Sequence, residues 1–387
     1  MIETRPSTTE VEAALAKQKG FNFGAVDALK RLIVPLDAAP PLGALAAFTG
    51  TFAGRGFNTI FRPNLGSPTP LPNPAAGPND NVLELNLTSE TLSFSAPLGT
   101  VPNRGEVQPD LFLNAVPYLQ TISDVTDPAQ PVGIHFEPGL WLAVPATSDP
   151  GEGPTLARMA SIPHGTTIDA QGTSQTIGGP PTIPPVSITP QFLGGGGFTF
   201  PSQTAAATNT FRIPQDLSSF IAAGSITQAI LDDPNTVLRN AIAGQTITST
   251  TIITIATNPA TPLFGGGVGN IAFLDGDPGA TSPNAQTVNM SATFWIETVE
   301  HRIIVPPHPV PGPIVLRPQP NGAVQHQLEF MLEPPRPIDR ELVLTVTSTQ
   351  IQYSQLVNLS FNGLLWPHVS VATLVPSGPV HVPPSVW

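Results

Sequence analysis

The chain has 387 residues, of which 48 are proline, 34 are glycine and none is cysteine, and its formal net charge is -12. Proline at this density excludes a mostly helical protein, because each proline inside a helix costs about 3 kcal/mol. The acidic balance, without any cluster of Lys or Arg, excludes a surface that binds the nucleic-acid backbone.

The absence of cysteine excludes disulfides, thiolate nucleophiles and zinc–thiolate sites, and it favours a cytoplasmic location. The first twenty residues lack the apolar segment of a signal peptide. No uncharged apolar run reaches the length of about 18 residues that a membrane-spanning helix needs, so no membrane span is predicted. The low content of charged residues, 11%, favours a homo-oligomer.

The N-terminal segment predicts helical structure. Residues 8–33 contain two runs of good helix formers, and the second run must end before Pro35. We therefore interpret residues 1–36 as an N-terminal helical arm and residues 37–387 as a single elaborated β-barrel domain.

Short runs rich in β-branched and aromatic residues follow, and Pro/Gly turns separate them at nearly regular spacing. The first predicted strand covers residues 51–61. The second, "NVLELNLTSETLSFS" (81–95), alternates, with Leu83, Leu85 and Leu87 on one face and Glu84 and its neighbours on the other. A series of this kind is typical of a β-barrel or a β-sandwich.

One long segment interrupts the series of strands. Residues 173–214 are rich in Gly, Pro, Ser and Thr, and residues 215–243 predict two short helices broken at Pro234. We interpret residues 173–243 as an insertion. Strands are predicted to resume after it, and "GNIAFL" (269–274) is among them.

Two glycine-rich stretches, residues 194–197 and 265–270, predict turns, since neither has the Lys and the following helix of a phosphate cradle. No G-x-S-x-G or H-E-x-x-H motif is present. His135 and Glu137 are two residues apart and share one strand face. They could hold a metal ion, but we favour an ordinary polar face.

Two further histidines stand out. His164 lies between proline and glycine in "MASIPHGTTIDAQG" (159–172), which predicts a loop apex, where it either lines a pocket or caps a backbone carbonyl. His368 begins the alternating run "WPHVSVATLV" (366–375), where it is either structural or a metal ligand. His368, Ser370 and Ala372 share one face, and the two small residues leave room beside the imidazole.

Three patches of the chain resemble the nitrobindin family, heme-binding β-barrels of the calycin group. "LGALAAFTGTFAGRGFNTI" (42–60) is similar to the family's opening turn and G-T-W-x-G-x-G strand, with Phe52 in place of the tryptophan. "HFEPGLWLAVP" (135–145) with "LARMASIPHGTTIDAQG" (156–172) resembles its E-x-G-x-W strand and H-P-x-G-like turn. "IQYSQLVNLSFNGLLWPHVSVATLV" (351–375) resembles its last hairpin, which ends in H-L-x-A-x-L.

The resemblance implies a mainly β fold, an antiparallel up-and-down calycin-like β-barrel. The residues themselves add the N-terminal helical arm, the long Pro/Gly-rich loops and the small helical insertion to this prediction. It also implies heme b in an apolar cavity, with His368 as the axial ligand of iron and His164 as a catalytic polar group on the opposite side. Five other residues are expected to line the heme: Phe52, Trp141, Met159, Ser370 and Ala372. Ferric heme there would react with nitric oxide, peroxynitrite or peroxide, as a peroxidase or a peroxynitrite isomerase.

Two alternatives belong to other classes of function. A barrel that carries a fatty acid or another lipophile predicts a cavity that no histidine faces. A structural or assembly protein, whose long loops form subunit contacts, predicts a filled barrel without a cavity.

Overall fold

Ten long antiparallel strands close into a barrel. In chain order they are β1 (Gly50–Pro63), β2 (Asn81–Phe94), β3 (Leu111–Asp124), β4 (Val132–Val144), β5 (Thr155–Ile162), β6 (Thr166–Gly178), β7 (Thr246–Ala256), β8 (Gln286–Val305), β9 (Leu342–Phe361) and β10 (Leu364–Pro376). Each strand pairs with the next one in the chain, and β10 pairs with β1. The predicted mainly β, up-and-down calycin-like barrel is therefore confirmed.

The computed structural model describes residues 40–65, 71, 77, 80–259, 265–310, 312–319 and 328–387. The helical arm predicted over residues 1–36 lies outside these ranges. The described residues belong to one compact unit.

Shorter elements connect the strands. The helices are α1 (Ser218–Ala223), α2 (Gln228–Asp232), α3 (Thr236–Ile242) and α4 (Ala272–Asp275), with 3-10 turns at Gly43–Ala47, Pro201–Gln203 and Pro384–Val386. The minor strands are Thr100–Asn103, Thr147–Ser148, Gly151–Glu152, Gln191–Phe192, Arg212–Ile213, Gly267–Asn270, Ile314–Leu316, Phe330–Leu332 and Val380–His381. No helix in the described ranges is long and apolar enough to cross a membrane.

The glycines of the first patch let β1 approach β10 closely. A Cβ atom on Gly54 would lie 2.0 Å from the carbonyl oxygen of Thr373, and one on Gly56 would lie 2.2 Å from that of Val371. Any larger residue would push the two strands apart at the seam that closes the barrel. The spacing of these glycines thus has a steric cause.

An apolar core fills one end of the barrel. The 3-10 turn Gly43–Ala47 leads into this end, where Phe48 stacks on Phe94 with 4.5 Å between ring centroids and contacts Trp141 edge-on at 5.3 Å. Phe52 and Ala372 belong to the same buried cluster. The barrel is therefore closed by side chains at this end.

The predicted insertion packs against the outside of the barrel wall. Residues of β1, β2 and β10, including Phe57, Leu83 and Val369, form one buried cluster with Ile188 and Leu238 of the insertion. Apolar side chains therefore point outward here, because the insertion keeps them from water.

The structure corrects two predictions of helix and strand. The insertion carries three short helices rather than two: besides the predicted break at Pro234, Gly224 adopts a left-handed conformation (φ 71°) that ends α1. The Thr227 side chain then accepts a hydrogen bond from the Ile230 amide and begins α2. The predicted strand "GNIAFL" is split, since Gly267–Asn270 pairs with β6 and α4 follows.

Glu297 is an ionisable residue within the apolar outer side of the barrel. It lies two positions along β8 from Trp295, which belongs to the outer cluster, so both side chains point outward. One carboxyl oxygen accepts a hydrogen bond of 2.6 Å from Gln350, and the other, which is buried, has no partner. Burial raises the pKa of Glu297 to about 7, against the smaller opposing effect of the Gln350 hydrogen bond.

Replacing this carboxyl should stabilise the protein in alkaline solution. The pKa is higher in the folded than in the unfolded chain, so stability is full below 4.5 and is lost as the pH rises to about 7 and beyond. We expect Glu297→Gln to raise the free energy of unfolding by up to about 3 kcal/mol at about pH 8 and to change it little at about pH 4. Urea denaturation at both pH values measures this, and an equal effect at the two values would contradict it.

Candidate functional site

The end of the barrel that the apolar core does not fill contains a cavity of about 500 Å³. This volume is within the range of about 300 to 1,000 Å³ of small-molecule sites. The surface that the wall exposes to the cavity is mostly apolar, and eight large apolar side chains contribute to it: Ile60, Ile122, Ile134, Ile162, Ile168, Leu274, Val357 and Leu359. Polar residues converge on the same space, and three of them are histidines.

The three histidines reach the cavity from different parts of the wall. His368 lies near the start of β10, His135 lies near the start of β4, and His164 lies at the rim, in the turn between β5 and β6. Strands β3, β2 and β1 separate β4 from β10 around the barrel, so His135 and His368 face each other from nearly opposite sides. The rings of His135 and His164 are neighbours, with 6.0 Å between centroids.

Hydrogen bonds fix the imidazole of His368. The side-chain amide of Asn58, directly across from Ser370 on the neighbouring strand, donates to His368 Nε2 at 2.8 Å and to Ser370 Oγ at 2.7 Å. Burial, with smaller contributions from His135 and His164, lowers the pKa of His368 to about 3. His368 is therefore neutral at physiological pH, the form in which imidazole coordinates metals.

A buried ion pair lies beneath the cavity, where it contacts two residues of the cavity wall, His135 and Gln355, and we call this layer the floor. Arg158 and Tyr118 both donate to Oε1 of Glu137, and Arg158 also donates to Tyr118 at 2.8 Å and to Gln355 at 2.7 Å. Burial alone would raise the pKa of Glu137, but Arg158 and then His135 reverse this and lower it to about 2. Glu137 is thus a carboxylate at any physiological pH.

A second buried carboxyl lies beside the floor in a contrasting environment. Glu90 accepts hydrogen bonds from Tyr353 at 2.6 Å and from Thr88 at 2.7 Å, and Gln120 donates to Tyr353 at 3.1 Å. Burial raises the pKa of Glu90, and the hydrogen bonds from Tyr353 and Thr88 oppose this shift only in part. The floor therefore combines a carboxyl whose pKa is lowered, Glu137, with one whose pKa is raised, Glu90.

Three of the predicted site residues meet in the cavity, and four do not. His368, His164 and Ser370 line it. The predicted lining role of the others is corrected. Phe52, Trp141 and Ala372 lie in the apolar core at the closed end, while Met159 is 42% exposed on the outer face of the barrel.

His135 and Glu137 share the inner face of β4, with 3.0 Å between His135 Nε2 and Glu137 Oε2. Across the described ranges, no group of three or more His, Cys, Asp or Glu side chains is arranged to hold a metal ion. The sequence analysis identified the pair of His135 and Glu137, but it did not identify Arg158, the cation that pairs with Glu137. Arg158 could have been found from the sequence, because it is a charged residue within the mostly apolar strand "LARMASI".

Comparisons with known proteins add little. No protein-family model matches the chain, and no curated protein matches it in sequence. Among solved structures, Rv2717c from M. tuberculosis is similar with a TM-score of 0.33 and 12% identity, over 87% of this chain and 98% of that one. A similarity at this level supports no conclusion about function, which must come from the cavity itself.

The ion pair on the floor should be essential for stability. We expect Arg158→Met to lower the free energy of unfolding by about 3 to 5 kcal/mol, because it leaves the Glu137 carboxylate buried without a cation. The double variant Glu137→Gln with Arg158→Met should lose less. Urea denaturation measures both.

The matched control is Arg104→Met. Arg104 pairs with Asp110 on the surface, where its side chain is 70% exposed, so its loss should cost less than about 1 kcal/mol. An effect of Arg158→Met no larger than that of the control would refute the role assigned to the buried pair.

Proposed function

We propose that the barrel binds heme b through His368, as in the nitrobindin-like proteins that the three patches resemble. One observation supports this most directly: a neutral imidazole lies on the wall of a largely apolar cavity of about 500 Å³. Heme requires an apolar pocket and one axial ligand, and histidine is the common one.

The residues present fit this group. His368 Nε2 carries a lone pair, since it accepts a hydrogen bond from the Asn58 amide, and iron would take the place of that amide. Ile60, Val357 and Leu359 offer apolar contacts to the macrocycle. No Lys or Arg is among the described residues of the cavity wall, so we expect the heme carboxylates at the mouth, in contact with water.

Bound heme would supply an iron with an open coordination position, which reacts with nitric oxide, peroxynitrite or peroxide. The chain's contribution is to keep the His368 imidazole neutral through burial, to limit the access of water with the apolar part of the wall, and to present His135 and His164 from the other side. Peroxidase-like or peroxynitrite chemistry is the activity we propose.

The two alternatives fit the cavity less well. A lipophile carrier predicts a cavity that no histidine faces, whereas three histidines line this one. An assembly protein predicts a filled barrel, whereas this barrel is filled only at one end. A cytoplasmic location and a homo-oligomer accompany the heme proposal as predictions from composition.

Titration of the purified protein with hemin tests the proposal. We expect a saturable Soret band at one heme per chain, and a weaker or shifted band for His368→Ala because the axial ligand is lost. Added imidazole should restore the band of this variant by filling the space of the missing side chain.

His381→Ala is the control, since His381 is exposed on the short strand Val380–His381, outside the cavity wall. Its spectrum should match that of the unaltered protein. If the unaltered protein gives no saturable Soret change, or if His368→Ala gives the same spectrum as His381→Ala, heme ligation by His368 is wrong.

A further inference from the structure

We infer that His135, oriented by Glu137, accepts the proton of small weak acids that enter the cavity. These acids are neutral molecules, written HX, whose anion X⁻ binds iron after the proton is lost. Hydrogen cyanide and hydrogen peroxide are examples. The inference rests on the proposed function, because heme at His368 would hold the anion.

The tautomer of His135 follows from its partner. Glu137 is held as a carboxylate by Arg158 and Tyr118, and a carboxylate can only accept a hydrogen bond. At 3.0 Å from Glu137 Oε2, His135 Nε2 must therefore carry the hydrogen and donate it. In neutral imidazole this leaves the lone pair on Nδ1, which is then the basic atom.

The carboxylate also compensates the charge that a proton would create. When HX gives its proton to His135, the X–H bond breaks, an Nδ1–H bond forms, and both electrons of the broken bond stay with X. The imidazolium then lies against the ionised Glu137, which Arg158 and Tyr118 hold in position from the other side. This arrangement of carboxylate and histidine is the one that general bases use.

His164 does not have these features. Its ring donates a hydrogen bond to the backbone of Ile134, and none of the ion pairs among the described residues includes it. Burial and the neighbouring His135 lower its pKa, which makes it a poorer base. Of the two neighbouring histidines, His135 is thus the proton acceptor. We therefore assign to His135 the catalytic role that the sequence analysis predicted for His164.

Position supports the same assignment. The side chain of His135 is 14% exposed and lines the cavity, and it faces β10 from nearly the opposite side of the barrel. Both His368 and His135 therefore line the single cavity in which a small molecule would bind.

Nitrogen NMR of histidine-labelled protein without heme tests the orientation. In alkaline solution, where imidazole is neutral, His135 should be the tautomer protonated at Nε2. Glu137→Gln should reverse this, because Arg158 and Tyr118 keep the amide oxygen and turn the amide NH2 towards Nε2. The tautomer of His164 should not change. A wild-type His135 protonated at Nδ1 would overturn the inference.

Ligand association with the hemin-loaded protein tests the proton transfer. We expect His135→Leu to slow cyanide association about 100-fold, in line with general base catalysis, and to leave nitric oxide association nearly unchanged because that ligand brings no proton. Glu137→Gln should slow cyanide through the reversed tautomer. His381→Leu is the control, and His164→Leu should have a much smaller effect than His135→Leu.

The outcomes separate the two proposals. A normal Soret band in His135→Leu with unchanged cyanide association overturns the role of His135 and leaves heme binding intact. A larger effect for His164→Leu than for His135→Leu assigns the proton to His164 and also overturns the inference. A wild-type protein that takes up no hemin overturns the proposed function, and the inference with it.

Discussion

The ion pair of Glu137 and Arg158 is the constraint on which the interior of this barrel depends. The guanidinium lies 5.8 Å from the ring centroid of Trp141 and 5.4 Å from that of Phe294, at the edge of the apolar core, and it donates to Gln355 in the cavity wall. One charged group thus marks the level at which the filled part of the barrel ends and the cavity begins. It also keeps Glu137 ionised, and Glu137 orients His135.

The sequence predicted the strands well because alternation is a local signal, but it did not predict which face is the inner one. Leu83 and Leu85 point outward, under the insertion, while Glu84 and Asn86 line the cavity. A period of two shows which residues share a face and does not show what covers that face. Here the insertion, which is distant in sequence, covers the apolar outer face, and the inner face carries polar residues that line the cavity.

The site was predictable only in part for the same reason. His368 and Ser370 followed from one strand, and His164 from one turn. Glu90 and Tyr353 are 263 residues apart and meet only because the barrel closes, so no spacing could have paired them. Met159 was wrong by one position: its neighbour Arg158 points inward, and alternation then places Met159 outside.

The insertion covers only part of the barrel wall, so two parts of the wall differ in how well they are packed. The wall of β1, β2 and β10 is buried on both faces, whereas the wall of β4 and β5 exposes Phe136 and Met159 to water. Close packing on two sides resists displacement, so we expect slower backbone amide exchange in the wall that carries His368 than in the wall that carries His135.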